Sequence, residues 1–218
     1  MLQSTFYHRG ETRAVGSDDW PGLIATGGYS AIIFDCDGTL VNSGEGHFRA
    51  LQAAVNAQGA SMDRAWYNAR TGLDRKSTLD AFAQTISGDF DVSRAITQSI
   101  EAFQSVVHCV SAIPETVDLL RGLDAVFGRA VVTNAEKPVA EASLGAIDVL
   151  SCIDHLVTFS DGLPPKPAPD MFRLAAAKLD VSCTRVLVFE DSPQGVAAAL
   201  AADMDVVLLL FDHVSDGR

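Results

Sequence analysis

Residues 32–42, IIFDCDGTLVN, place two aspartates directly after a short apolar run and directly before a glycine turn. An apolar run of this kind is typical of a strand that is buried on both faces of a parallel sheet. Because side chains alternate along a strand, Asp35 and Asp37 face the same way, while Cys36 points into the packing. Ligands of open α/β sheets bind beyond the carboxyl ends of the strands, where these carboxylates emerge. The stretch therefore predicts a core strand that ends in a functional site.

The pattern of the later sequence indicates that this strand belongs to an α/β domain. Short apolar runs alternate with helix-like stretches from residue 113 onward, which is typical of a doubly wound parallel sheet. The predicted strands are 130–132, 156–159, 186–189 and 206–210, and the predicted helices are 115–123, 137–144, 170–179 and 194–202.

Two segments depart from this alternation. Residues 47–111 contain only helical patterns and predict a small all-α domain, inserted between core segments 29–46 and 112–218. Residues 1–28 mix glycines with both charges and lack sustained periodicity, so they predict a loose leader that is partly disordered. The alternatives for the leader are a strand or turn packed on the core, or a weak targeting segment, which its acidic residues disfavour.

Composition limits the classes of partner. With 218 residues and 48% hydrophobic content, the chain can bury a substantial core. Its formal net charge of -12 argues against nucleic acid and anionic membrane surfaces as partners. The four cysteines show no CxxC or zinc-like spacing, and no apolar run approaches the roughly 18 residues of a membrane span. We expect a cytoplasmic protein with reduced thiols, either a monomer or a weak homodimer.

Polar residues also follow the other predicted strands. Thr133 and Asn134 end RAVVTN, Glu190 and Asp191 end RVLVFED, and Lys166 lies in the PPKPAPD loop before a helix. Parallel strands would bring these side chains to one edge with the two aspartates. Four carboxylates gathered there would repel one another unless a cation lay among them. Oxygen ligands without His or Cys favour Mg²⁺ over zinc, and Mg²⁺ commonly shares its coordination shell with a substrate phosphate.

In order and spacing, these residues resemble the four motifs of the haloacid dehalogenase superfamily. The matching segments are DCDGTL, the strand-end TN, KPAPD and FEDSPQG. The helical insert after the first motif resembles the cap of the β-phosphoglucomutase-like phosphatase branch. The resemblance implies a Rossmannoid core with a parallel sheet and a small all-α cap domain.

The same resemblance implies a catalytic role for each core residue. Asp35 would be the nucleophile that forms an aspartyl-phosphate, and Asp37 the general acid/base. Mg²⁺ would be held by Asp35, by the backbone carbonyl of Asp37 and by Asp191, with Glu190 as a further ligand or a partner of the ligands.

The phosphate group would be bound by the remaining motif residues. The Thr133 hydroxyl and Asn134 would bond phosphate oxygens, and Lys166 would supply a fixed positive charge. Dehalogenases and phosphonate-cleaving relatives lack an aspartate at the position of Asp37, so its presence favours phosphoryl transfer.

The insert also carries candidate substrate residues. Residues 71–79, TGLDRKSTL, resemble the cap specificity loop, with Gly72 providing the turn. Arg75 would reach the far end of the substrate, assisted by Lys76 and Thr78, and His47 would take part in cap closure.

Each assignment has a structural alternative. Asp35 and Asp37 could form a turn and a cap at a strand end, and Lys166 could be a solvated lysine. Thr133 and Asn134 are residue types common in turns, and Glu190-Asp191 is a common loop pair. Arg75 and Lys76 could begin a helix on a solvated face, and His47 could pack at a hinge. The ordered occurrence of all four motifs favours chemistry over these alternatives.

The function expected from the resemblance is Mg²⁺-dependent hydrolysis of a small phosphorylated metabolite, such as a sugar phosphate or a phosphorylated sugar acid. One alternative is a β-phosphoglucomutase-like phosphomutase, which uses the same residues. Another is a non-catalytic protein that binds phosphometabolites, and this would predict the loss of a motif residue. A nucleic-acid 5'-phosphatase is disfavoured by the acidic charge.

Overall fold

The computed structural model describes residues 1–8, 10–70 and 73–211. Within these ranges, a seven-stranded sheet has the strand order β2-β1-β9-β8-β3-β6-β7, and β4 and β5 form a separate two-stranded pair. The strands are β1 (Gln3–His8), β2 (Glu11–Gly16), β3 (Ala31–Phe34), β4 (Val41–Asn42), β5 (Ser111–Ala112), β6 (Gly128–Val132), β7 (His155–Val157), β8 (Val186–Glu190) and β9 (Asp205–Leu210).

Helices cover both faces of the large sheet and make up the insert. They are α1 (Trp20–Thr26), α2 (Gly44–Asn56), α3 (Arg64–Asn68), α4 (Arg75–Ala83), α5 (Val92–Val106), α6 (Pro114–Gly122), α7 (Lys137–Ala146), α8 (Asp170–Lys178) and α9 (Pro193–Ala201).

The strand β3 lies inside the sheet and is completely buried. It pairs in parallel with β6 on one side and β8 on the other. Ile32 and Phe34 belong to the hydrophobic cluster on one face, whereas Ala31 and Ile33 belong to the cluster on the opposite face. An uninterrupted apolar strand is what burial on both faces requires. The predicted α/β class, with its parallel core, is confirmed.

The prediction of a loose leader over residues 1–28 is wrong for the described part of that segment. The strands β1 and β2 form an antiparallel hairpin, and β1 pairs antiparallel with β9. Trp20 is buried; its Nε1 donates to Ser4 Oγ at 3.0 Å, and its ring meets Phe189 edge-on. The structure therefore matches the alternative of a strand packed on the core. Most of β2 is exposed at the sheet edge, so its polar residues conceal the strand periodicity.

The helices α2 to α5, hereafter the helical insert, have a hydrophobic cluster of their own. Its buried members are Phe48, Leu51, Ala54, Val55, Met62, Leu79, Phe82 and Ala95. The two chain crossings to the sheet domain meet where β4 pairs with β5. Helix α2 begins at Gly44, ahead of the predicted domain boundary at residue 47.

No helix among the described residues combines the length and apolar character needed to cross a lipid bilayer.

Candidate active site

The end of β3 carries Asp35 to the edge of the sheet and turns sharply behind it. The Asp35 amide donates to the Phe189 carbonyl at 2.9 Å, which continues the pairing with β8. Gly38 adopts φ +86°, a left-handed conformation that glycine tolerates best. A Cβ on Gly38 would lie 2.0 Å from Asp191 Oδ2. The glycine therefore allows the turn after β3 to lie directly against Asp191.

Lys166 is buried among acceptors at the centre of this edge. Its Nζ donates to Asp35 Oδ1 at 2.6 Å, to Glu190 Oε1 at 2.7 Å and to the Val132 carbonyl at 2.8 Å. An ammonium has three donors, and all three are therefore used. Burial lowers the pKa of Lys166, but the charges of Asp35 and Glu190 outweigh it and hold the net pKa above its usual range. Lys166 is thus a fixed cation beside Asp35.

Glu190, the last residue of β8, is completely buried. Its Oε1 accepts from Lys166, and its Oε2 accepts from the amides of Asp191 and Ser192 and from Ser192 Oγ, each at 2.9 Å. Ser192 Oγ also caps α9 by accepting from the Gly195 amide. Glu190 therefore fixes Lys166 and the loop that carries Asp191.

The fit of α9 against Glu190 leads to a stability prediction. A Cβ on Gly195 would lie 1.7 Å from Glu190 Oε1, so Gly195→Ala should displace the carboxylate and destabilise the protein by about 2 kcal/mol or more. At Gly22 in α1, a Cβ meets no atom within 4 Å, and Gly22→Ala should be neutral or stabilising by up to about 1 kcal/mol. Urea unfolding of both variants checks this, and equal effects at the two sites would contradict the described packing.

Asp37 is oriented toward the helical insert. Its Oδ1 accepts from Ser43 Oγ and lies 3.0 Å from His47 Nε2. Burial raises the pKa of Asp37, but the charge of His47, hydrogen bonds from His47 and Ser43, and the charge of Arg75 bring the net pKa below its usual value. The His47 ring also packs on Phe103 of α5, with ring centroids 4.9 Å apart. The insert thus positions the Asp37 carboxylate.

Three carboxylates at this edge have the geometry of a cation site. Asp35, Glu190 and Asp191 each offer an oxygen, and these oxygens all lie within 4.8 Å of one another. Burial raises the pKa of Asp35 well above its usual value; Lys166 opposes the rise, and the other two carboxylates add to it. Burial raises the pKa of Asp191 to about 7, with Glu190 as the next cause. This all-oxygen set of mutually repelling carboxylates fits a divalent cation such as Mg²⁺.

Thr133 and Asn134 follow β6 and face the same edge. The Thr133 side chain accepts from the Ala135 amide at 3.0 Å. Asn134 Oδ1 accepts from the Lys166 amide at 2.9 Å, so its side chain is engaged in holding the lysine loop. The Asn134 side chain is therefore occupied by contacts within the protein.

One cavity of about 590 Å³ lies between the sheet edge and the helical insert. From the sheet edge, it is lined by Asp35, Asp37, Thr133, Asn134, Lys166, Glu190 and Asp191. From the insert, the cavity is lined by His47, Arg75 and Thr78 among other residues. Thr78 is buried. The substrate contacts expected of Arg75 and Thr78 stay predictions.

One predicted substrate residue does not reach the cavity. Lys76 is exposed, and its Nζ bonds Asp80 Oδ2 one turn along α4 at 2.5 Å. The expectation that Lys76 assists Arg75 at the substrate is therefore wrong, and the alternative of a helix start on a solvated face holds for Lys76. Successive residues of a helix point roughly 100° apart, and here Arg75 lines the cavity while Lys76 faces solvent. Thr71 and Gly72 of the predicted specificity loop lie outside the described residues.

Sequence reasoning missed several residues at the site. Ser43 bonds Asp37, Ser192 bonds Glu190, and Glu136 and Ser99 bond Arg75. Ser192 directly follows a recognised motif residue and precedes a proline, which is a signal for a helix cap. The contacts of Glu136 and Ser99 join segments far apart in the sequence and carry no local signal.

Comparison with known proteins agrees with this geometry. The model of the haloacid dehalogenase-like hydrolase family matches residues 32–209. The chain belongs to this family. The match begins at the second residue of β3 and includes the helical insert and every residue assigned to the sheet-edge site.

Relatives within this hydrolase family include proteins that act on sugar phosphates. The fructose-1-phosphate phosphatase YqaB of Escherichia coli is 31% identical over 82% of this chain and 95% of its own length. The β-phosphoglucomutase of Bacillus subtilis is 27% identical over 81% of each chain. The crystal structure of CbbY from Rhodobacter sphaeroides in complex with phosphate has a TM-score of 0.74 and 28% identity, covering 82% of this chain and 84% of that one.

Proposed function

We propose that this protein is a Mg²⁺-dependent phosphatase that hydrolyses a small phosphorylated sugar or related metabolite through a phosphorylated Asp35. The observation that carries the proposal is the contact of Lys166 with Asp35 and Glu190 beside a cluster of carboxylates within one cavity. The 31% identity to a fructose-1-phosphate phosphatase supports the reaction type and the class of substrate.

Asp35 is the proposed nucleophile. Its carboxylate would attack phosphorus, and the leaving oxygen would depart as the aspartyl-phosphate forms; water would then release phosphate and regenerate the carboxylate. Lys166 would stabilise negative charge at this position, and it already donates to Asp35 at 2.6 Å. Because Lys166 is fixed by three acceptors, little reorganisation is needed during the reaction.

Asp37 is the proposed general acid and base. It faces the same cavity as Asp35, and its contacts with Ser43 and His47 orient the carboxylate. It would protonate the leaving oxygen in the first step and take a proton from water in the second. Since Ser43 is the N-cap residue of α2 and His47 lies in that helix, which is the first of the proposed cap, cap position and proton transfer would be coupled.

Asp35, Asp191 and the Asp37 backbone carbonyl would hold Mg²⁺, which supplies charge neutralisation on the transferring phosphoryl group. Glu190 bonds Lys166 and the Asp191–Ser192 backbone through both of its oxygens. This network favours its role as a partner that fixes the ligands. The Thr133 hydroxyl and the Asn134 backbone would bind phosphate oxygens.

A metal-binding prediction separates this site from a merely structural acidic cluster. Mg²⁺ should raise the melting temperature of the protein, because it binds the folded state and relieves repulsion among buried carboxylates. Asp191→Asn should abolish most of that increase, whereas Asp118→Asn on the exposed face of α6 should leave it intact. Differential scanning fluorimetry with and without Mg²⁺ measures this, and an undiminished increase in Asp191→Asn contradicts the assignment.

The proposed activity is tested by phosphate release from a panel of phosphorylated sugars, sugar acids and nucleotides, with Mg²⁺ or with a chelator. We expect release from sugar monophosphates that depends on the metal. Release that is unaffected by chelation, or that is confined to nucleic-acid 5'-phosphates, would contradict the proposal.

A phosphomutase is the second candidate, favoured by the 27% identity to a β-phosphoglucomutase. It would use the same nucleophile but return the phosphoryl group to another hydroxyl of the sugar. Isomer formation from a hexose phosphate, measured beside phosphate release, distinguishes the two. A purely binding protein is disfavoured because Asp35, Asp37, Lys166 and Asp191 are all present.

A further inference from the structure

Arg75 and Glu136 form an ion pair that joins the helical insert to the sheet domain across the cavity. Arg75 begins α4, whereas Glu136 is the N-cap residue of α7. Arg75 Nε lies 3.1 Å and 3.0 Å from the two Glu136 carboxylate oxygens, and its Nη1 donates to Ser99 Oγ at 3.0 Å. The side chains are only 7% and 15% exposed, so solvent screens the pair weakly. The pair is therefore a fixed part of the cavity wall.

Two further charged residues of the described cavity lining, Arg70 and Asp74, are engaged by neighbours within the helical insert. Arg70 donates from Nη1 to the Trp66 carbonyl, and its guanidinium stacks on the Trp66 ring at 4.1 Å. Asp74 accepts from the amide and hydroxyl of Ser77. With Arg75 and Glu136 included, the set contains two guanidinium groups and two carboxylates, and its formal charge is zero. Among the residues that the structure describes, this part of the lining, away from the proposed reaction centre, offers no net positive charge to a second anionic group.

The Arg75–Glu136 pair would distinguish between substrates by the chemical group that each substrate carries at the end remote from its reacting phosphate. A second phosphate or a carboxylate would face Glu136 and could bind Arg75 only by separating a largely buried pair. A hydroxyl group can donate to Glu136 and accept from the Arg75 N–H groups that Glu136 and Ser99 leave free. Hydroxyls therefore fit the pair as it stands, whereas a second anion does not.

We propose that Glu136 is a specificity-determining residue that pairs with Arg75 and thereby selects monophosphates of neutral, polyhydroxylated molecules. Bisphosphates and phosphorylated sugar acids are disfavoured. This inference rests on the proposed phosphatase function and narrows its substrate class. Substrate selection would then depend on both parts of the protein, because Glu136 belongs to the sheet domain and Arg75 to the helical insert.

The test compares kcat/KM for a hexose monophosphate and for the matching hexose bisphosphate and phosphorylated sugar acid. Each value is divided by that for a short phosphate monoester without a distal group. The wild type should favour the neutral substrate by about tenfold or more, and Glu136→Gln should shift that ratio toward the anionic substrates by about tenfold or more. Glu141→Gln, an exposed site on the same helix paired with Lys137, should leave the ratio unchanged.

A double variant identifies the group responsible. In Arg75→Ala/Glu136→Gln the shift should disappear, because the guanidinium that Glu136→Gln leaves without its carboxylate partner is then absent. A wild-type preference for the anionic substrates overturns the inference, whether or not the variants fold. So does an equal loss on all substrates in Glu136→Gln, which is the result expected of a purely structural bridge. If the wild type releases phosphate from none of the esters, including the short one, the proposed function itself fails.

Discussion

Asp35→Asn is expected to lower kcat by about 10⁴-fold or more while the protein remains folded. The amide has nearly the same shape as the carboxylate but cannot form an acyl phosphate. Burial raises the pKa of Asp35 well above its usual value, with Glu190 and Asp191 adding to the rise, so the charged form is unfavourable in the folded state. Because the amide oxygen can still accept from Lys166, this neutral isostere should not lower the free energy of unfolding by more than about 1 kcal/mol.

Steady-state kinetics and urea unfolding of the same preparation test both parts of this expectation. Asp118→Asn, which makes the same change on an exposed helix face, serves as the control and should retain full activity. An Asp35→Asn variant that keeps more than about a hundredth of the activity contradicts the nucleophile assignment. A variant that has unfolded contradicts the electrostatic argument.

Lys166→Met should lower both stability and activity. Methionine is similar in length and can pack near Phe172, but it provides none of the three donors that bind Asp35, Glu190 and the Val132 carbonyl. Removing one partner of a buried ion pair typically costs about 3–5 kcal/mol, because the other charges remain buried. Loss of the fixed cation should also lower kcat/KM by about 10³-fold.

Lys178→Met is the matched control for that change. Lys178 Nζ lies 3.7 Å from Asp161 Oδ1 in a partly exposed pair, so its loss should cost less than about 1 kcal/mol and leave the activity unchanged. Similar unfolding free energies for Lys166→Met and Lys178→Met would show that Lys166 does not balance the carboxylates at the site.

The parallel core and its site could be predicted because strand ends in such a sheet converge. Asp35, Thr133 and Glu190 each stand at the carboxyl end of a short apolar run or directly after it, and the parallel pairing of β6, β3 and β8 brings them together. The N-terminal hairpin was missed for the opposite reason. Its outer strand, β2, lies at the sheet edge and is largely exposed, so its sequence carries little of the apolar periodicity that marks a buried strand.

Contacts between distant segments could not be predicted from local patterns. Arg75 and Glu136 lie 61 residues apart, and nothing near either residue specifies the other. Lys76 was misassigned because adjacent cations were treated as one feature, although helix geometry turns them to different faces. The spacing of Arg75 and Thr78 on α4, three residues apart, was the more informative signal, because such residues share a helix face.

The most direct test of the account is detection of a phosphoryl group on Asp35. Asp37→Asn is mixed with a phosphate ester whose leaving group needs no proton, and the reaction is quenched in acid. Without its general base the variant should hydrolyse the intermediate slowly, so the intermediate should accumulate. Mass spectrometry of the peptides should then show one phosphoryl group on Asp35. A substrate that turns over while Asp35 stays unmodified, or label on another residue, would contradict covalent catalysis by Asp35.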